Sequence, residues 1–423
     1  MARERKNKLF AVFAMFALCA MVLPQTGIMT IMPANASSNP TTEWTQTYGG
    51  ALIENIYDLI ETSDDGFALV GYTSSFGAGD SDFWLIKTDA SGNEQWNKTY
   101  GGFDTERSYA IIETTVTPGF AIVGYTESYG AGDDDVWLVR TDADGNMLWN
   151  MTYGGVEDEQ GNDLVETSDG GFAIVGYTET WVTGDDDAWL VKADASGNVQ
   201  WNMSYGGVED EQAEAIITTS DGGFIFTGTT ETWSAGSRDL WLVKTDASGN
   251  VQWNMSHGYS DSDYGYDLLE TTDGCFVVTG QWDAGDYNDA WLVKADASGS
   301  FLWEKTYGSS LGDDYLFNIV KTMEGGYAMA GYTKSYGAGN NDVWLVETDV
   351  DGNMLWNQTW GGTEHDNCNS LIATSDTGYL LGGFTKSFGD LTDADGWLIK
   401  VAVDHPVVSS AEVGVLVDYG DGT

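Results

Sequence analysis

Beyond residue 40, short apolar segments alternate with turn-forming clusters, and no stretch sustains a helical period. A typical unit is EAIITTSDGGFIFTGTTETWSAGSRDLWLVKTDASGNVQWNMSHG, residues 214–258. It holds four segments. The first is apolar and ends in threonine, as in Ile111, Ile112 and Thr114 of another copy. A turn of the Asp169-Gly170-Gly171 type leads to the second, GFAIVGYT at 171–178. A Gly/Asp-rich loop leads to the third, DVWLVRTD at 135–142, and a tight Asp-Gly-Asn or Ser-Gly-Asn turn to the fourth, MLWNMTY at 147–153. Val, Ile, Thr, Tyr and Trp favour pleated strands, while Asp-Gly and Gly-Asn tolerate the positive φ of hairpin turns. The pattern predicts four antiparallel strands per unit.

Two tryptophans mark the period. One series is Trp44, Trp96, Trp149, Trp201, Trp253, Trp303 and Trp356; the other is Trp84, Trp137, Trp189, Trp241, Trp291, Trp344 and Trp397. Neighbours in each series lie 50 to 53 residues apart. Four strands repeated at that spacing predict an all-β fold, a seven-bladed β-propeller of four-stranded antiparallel blades. The chain enters on a lone fourth strand, EWTQTYGG at 43–50, and its last repeat stops at the third, GWLIKVAV at 396–403. Residues 43–49 should therefore join the last blade and close the ring, leaving no free sheet edge. The paired tryptophans are expected to pack blade on blade.

Over residues 43–403 the chain resembles extracellular propeller repeat proteins of archaea and bacteria, near the pyrroloquinoline-quinone-type group. The resemblance rests on the Asp, Gly and Trp of the third-to-fourth hairpin, here Asp142, Gly145 and Trp149. The same hairpin, DADGNMLW at 142–149, is similar to a shifted sialidase-type Asp box, a structural turn. The hairpin is one residue shorter than the quinoprotein pattern, and seven blades replace the usual eight. The resemblance implies the fold and carries no quinone cofactor with it.

Charge narrows the function. The 423 residues include 66 acids and 17 basic residues, a formal net charge of −49. Four of the basic residues, Arg3, Arg5, Lys6 and Lys8, precede the apolar run 9–24, and Ala34-Asn35-Ala36 follows as a small-residue cleavage pattern. Residues 1–36 read as a secretory signal peptide or an uncleaved N-terminal anchor. The body, a propeller over 37–403, is expected to be secreted or held at the cell surface. Any membrane contact would run through an uncleaved N-terminus. The tail 404–423 ends in VDYGDGT, similar to the core motif of a polycystic-kidney-disease-type domain and a possible start of a truncated domain. Without basic clusters, nucleic acid is excluded as a partner. Beyond residue 36 only Cys275 and Cys368 remain, in different repeats, so disulfides do not frame the fold. A monomer is expected.

Candidate chemistry concentrates on the face carrying the loops between strands two and three and between blades. The first set of loops offers Phe76, Tyr129, Trp181, Trp233, Trp282, Tyr336 and Phe388. Among them and in the inter-blade loops stand Asp133, Asp135, Asp185, Asp187, Glu157 and Glu209. Crowded carboxylates suit calcium, the one cofactor suggested. Rings beside carboxylates suit a polysaccharide. A solvated acidic face whose rings pack the loops is the plain alternative. The Asp two positions before each third-strand tryptophan reads as a turn cap. Lys87, Arg140, Lys192, Lys244, Lys294 and Lys400 on the third strand suggest internal ion pairs. Nearer the axis, Asp58, Asp163 and Asp267 alternate with Ala110 and Ala215, as candidates for a central cation or for plain solvation.

Five sequons begin at Asn97, Asn150, Asn202, Asn254 and Asn357, equivalent outer-strand positions. They are either glycosylated or copies made by repeat duplication. No metalloprotease helix, nucleophile elbow or arginine cluster appears. The expectation is a non-catalytic binding or scaffold module for polysaccharide, a cell-envelope protein or a divalent cation. The alternatives are a purely structural envelope protein and a carbohydrate-active hydrolase using paired carboxylates.

Overall fold

The computed structural model describes residues 40–403 apart from Trp181, Thr183, Gly184 and 390–392. The candidate signal segment, the candidate ring residue Trp181 and the tail 404–423 lie outside the described residues. Every described element of regular structure is a strand, and the strands form seven four-stranded antiparallel sheets. Each sheet is one blade of the ring. Blade one runs outward through Glu54–Glu61, Phe67–Thr73, Asp82–Thr88 and Glu94–Tyr100. The other innermost strands are Glu106–Glu113, Glu159–Glu166, Glu211–Thr218, Tyr264–Glu270, Asp314–Lys321 and Asp366–Ala373.

Blade seven joins both ends of the chain. Thr41–Tyr48 pairs antiparallel with Asp395–Ala402, setting Trp44 against Lys400 and Tyr48 against Gly396. The strand starts two residues earlier than its sequence pattern and ends one earlier. Across the seam, Asn369 Nδ2 donates to Ile56 O at 2.8 Å and Ser375 N–H to Glu61 Oε2 at 2.8 Å.

The second and third strands are buried on both faces, whereas the outer strand alternates exposed and covered positions. The third-strand tryptophans sit in the core, at 0–5% exposure. The outer-strand tryptophans lean on the next blade. Trp96 meets Phe120 at 6.4 Å, and Trp149 meets Phe172 at 6.2 Å. Beneath six of the seven outer-strand tryptophans lies the glycine of the next hairpin. At Gly145, φ +72°, a methyl group would sit 2.6 Å from the Trp96 ring. The tyrosine ending the outer strand secures the same hairpin: Tyr100 donates to Gly145 O at 2.6 Å and Tyr153 to Gly197 O at 2.8 Å. Tryptophan, tyrosine and glycine thus recur together because they form one inter-blade joint.

The buried third-strand lysines pair with aspartates of the first hairpin. Lys87–Asp64, Lys192–Asp169, Lys244–Asp221 and Lys400–Asp376 lie at 2.6–3.1 Å, and Lys294–Asp273 at 3.7 Å. Blade two has no aspartate there, and Arg140 donates instead to backbone carbonyls, including Phe120 O at 3.1 Å. Blade six places Glu347 at this position, where it accepts from the Tyr379 hydroxyl at 2.8 Å.

Candidate functional site

The loop-face acids first do structural work. Asp135 Oδ2 accepts from Ala131 N–H at 2.8 Å and Gly132 N–H at 3.1 Å, and Asp82 and Asp342 repeat the arrangement. These are turn caps, as the spacing predicted. A second, fully buried acid opens six of the innermost strands, and in blade five Asp263 directly precedes the strand. Glu159 accepts from Thr178 Oγ1, Thr180 N–H and Gly155 N–H, stapling two loops to one strand. Asp187 is buried, and its Oδ1 has no hydrogen-bond partner among the described residues. Asp133, Asp185, Glu157 and Glu209 are exposed on their loops. Among the described residues, no three His, Cys, Asp or Glu side chains gather as a metal-holding group.

The candidate rings are spread around the face, each on its own blade. Phe76 lies 6.0 Å from Trp84, Tyr129 5.5 Å from Trp137, Trp233 5.3 Å from Trp241, Tyr336 5.6 Å from Trp344 and Phe388 5.3 Å from Trp397. All five stay 40–45% exposed, so each covers a core tryptophan and still shows solvent a ring. Trp282 differs: it lies within the strand Phe276–Asp283, 5.9 Å from Tyr259.

The five sequon asparagines are exposed on outer strands. Four of them accept from the third-strand indole: Trp84 to Asn97, Trp137 to Asn150, Trp189 to Asn202 and Trp344 to Asn357, at 3.1–3.5 Å. Asn254 is the exception, since the Trp241 indole N–H has no partner among the described residues. A buried indole needs an acceptor, which is a packing reason for the repeated asparagine.

The rings and acids that do converge lie on the axis. Every innermost strand carries a β-bulge against its neighbour. A bulge re-aims the side chain at the extra residue. The seven bulged residues are Tyr57, Tyr109, Asn162, Glu214, Tyr266, Phe317 and Asn369, and all seven line a central cavity of about 510 Å³. That volume is in the usual range for a ligand pocket, about 300–1,000 Å³. Tyr57 and Tyr109 meet edge to face at 5.0 Å, and Tyr266 and Phe317 at 5.1 Å. Periodicity alone singled out none of these residues, although they directly precede the alternating series that it did reveal.

That series is the next position round the ring: Asp58, Ala110, Asp163, Ala215, Asp267, Asn318 and Ser370. Each aspartate accepts from the N–H of the following residue and from a backbone N–H of the next blade. The inter-blade bonds are Ile111 to Asp58 at 2.9 Å, Ile216 to Asp163 at 2.8 Å and Ile319 to Asp267 at 2.9 Å. Blades one, three and five clasp blades two, four and six in this way. Burial nevertheless pushes the carboxyls of Asp58 and Asp267 up to about 6. It raises Asp163 well above the usual carboxylate range, with Asp58 and Asp267 adding to the effect. Burial also lifts Glu214 to about 7 against the opposing charge of Arg238.

A pH dependence follows. Between about pH 4 and pH 7 the folded protein holds protons on these groups that the unfolded chain has released. Stability should therefore fall as pH rises through that window. The hydrogen-bonded, lysine-paired Asp169 and Asp221, lowered to about 2, contribute stability that is lost only under more acidic conditions. Melting followed by circular dichroism should give a higher Tm at pH 5 than at pH 8. A higher Tm at pH 8 would contradict the assignment.

No family model matches the chain. The regulatory protein FlaEY of Caulobacter vibrioides is 27% identical over 145 residues, 30% of this chain and 15% of that protein's length. The WD40 domain of Neurospora crassa Pan2 is similar in structure, with a TM-score of 0.52 at 10% identity, covering 87% of this chain and 96% of that one. BBS1N, solved in complex with ARL6DN, gives a TM-score of 0.50 at 12% identity, covering 88% and 98%. At such identities the likeness is one of fold. The chain is a seven-bladed β-propeller.

Proposed function

We propose that the protein is an exported, non-catalytic binding module that takes a saccharide into its central cavity. The observation carrying this reading is the convergence of Tyr57, Tyr109, Tyr266 and Phe317 with the amides of Gln160, Asn162 and Asn369 on one cavity. Aromatic faces cover the apolar face of a sugar ring, and side-chain amides both donate to and accept from its hydroxyls. Asp58, Asp163 and Asp267 spend oxygens on backbone N–H groups, a structural use that favours binding over catalysis. Export rests on the basic and then apolar N-terminal sequence.

The test is a panel of soluble polysaccharides and oligosaccharides, with affinities measured by calorimetry on the wild type and on Tyr57→Ala. A saccharide of the panel should bind, and the truncation should weaken it by about tenfold or more, the scale of losing a stacked aromatic anchor. Unchanged affinity in Tyr57→Ala, or no binding across the panel, would contradict the reading.

A further inference from the structure

Four carboxyl groups line the central cavity, those of Asp58, Asp163, Asp267 and Glu214, and no lysine, arginine or histidine lines it. The three aspartates are occupied by backbone donors. Glu214 is not: its Oε2 receives only a long 3.5 Å contact from Asn162 Nδ2, and no described group donates to its Oε1. Asn318 adds an acceptor, since its Oδ1 is buried without a partner among the described residues. Of the nearby cations, Arg107 is stacked 4.6 Å over the Tyr72 ring and Arg238 is paired with Asp210 and Glu231, and neither lines the cavity.

We infer that the cavity selects sugars bearing a protonated amine. This rests on the saccharide reading above and adds the charge of the ligand. Glu214 has one long hydrogen-bond contact and only the opposing charge of Arg238, which does not line the cavity, so an ammonium group would supply a direct charge and the missing donors. The faces of Tyr266 and Phe317, packed at 5.1 Å, offer the negative π surface that attracts a cation. The net charge of −49 concentrates cations around the molecule. A neutral sugar leaves Glu214 without a direct charged partner in the cavity, and an acidic sugar meets four carboxyl groups.

The experiment compares two probes on the full chain at pH 7 and fixed ionic strength. One is a β-1,4-linked glucosamine hexamer, the other its fully N-acetylated counterpart, which has the same backbone and no charge. The free amine should bind about tenfold tighter or more, the difference expected for one charge-assisted contact. Glu214→Gln should abolish that preference while leaving the N-acetylated hexamer unaffected. Tyr266→Ala should weaken both. Equal affinity of the two hexamers would overturn the amine selectivity and leave the saccharide reading standing. A preference that survives intact in Glu214→Gln would assign it to the acidic surface and overturn the inference. Binding of neither hexamer would also overturn it, and the wider panel would then decide the saccharide reading separately.

Discussion

Removing residues 40–48 should leave a chain that no longer unfolds in one cooperative transition and that associates in solution. The deletion strips blade seven of its outer strand and exposes the unpaired edge of Asp395–Ala402. Such an edge is a template for pairing with another chain. It also removes Tyr48, which is buried and donates to Gly92 O at 2.5 Å, and Trp44, which packs 6.2 Å from Phe67. Losing a large buried aromatic costs about 3–5 kcal/mol. The loss of Tyr48 alone approaches the lower end of a typical domain's stability, about 5–15 kcal/mol, and the half-buried Trp44 adds to it. Melting curves should broaden and fall, and size-exclusion chromatography should show oligomers. A synthetic peptide spanning 40–49 should restore the monomer. An unchanged, sharp transition in the truncated protein would mean that the ring does not depend on this strand.

Gly154→Ala should be strongly destabilising for a single added methyl group. Its Cβ would sit 2.0 Å from Asp135 Oδ1 and 2.4 Å from Glu159 Oε2, both on buried residues. Glu159 cannot move without releasing Thr178, Thr180 and Gly155, and those donors would then be buried unpaired. Breaking such a buried charged network costs about 3–5 kcal/mol. Gly222→Ala serves as the control. That glycine has φ +85° and nothing within 4 Å of the added atom, so only backbone strain of about 1–2 kcal/mol is expected. Urea titrations of both variants would test the pair. Equal losses would show that the carboxylate contact has no special weight.

The blade plan was legible because it rests on local signals. The paired tryptophans, the Asp-Gly-Gly turns and the lone first strand each follow from side-chain size, positive φ or strand count. The third-strand aspartates were also legible as caps, since Asp135 reaches N–H groups only three and four residues away. Glu159 lies two residues after Glu157 in the sequence, and nothing local marks it as a staple. Its partners Thr178 and Thr180 lie 19 and 21 residues downstream and meet it only in the folded blade. The candidate site was legible in part. Asp58, Asp163 and Asp267 stood out by alternation. The residues before them did not, because a bulge depends on how two strands pair and leaves no period of its own. The loop-face rings drew attention by their regular recurrence. The tryptophan beneath each one explains that recurrence by packing: Tyr129 covers Trp137 just as Trp233 covers Trp241.

The most direct test sets the axis against the rim. Affinity for the best saccharide of the panel should be measured by calorimetry on two variants, Tyr266→Ala in the central cavity and Trp233→Ala on the loop face. The account predicts that Tyr266→Ala loses about tenfold or more and that Trp233→Ala binds as the wild type does. Loss in Trp233→Ala with full retention in Tyr266→Ala would place the ligand on the outer ring and contradict the account.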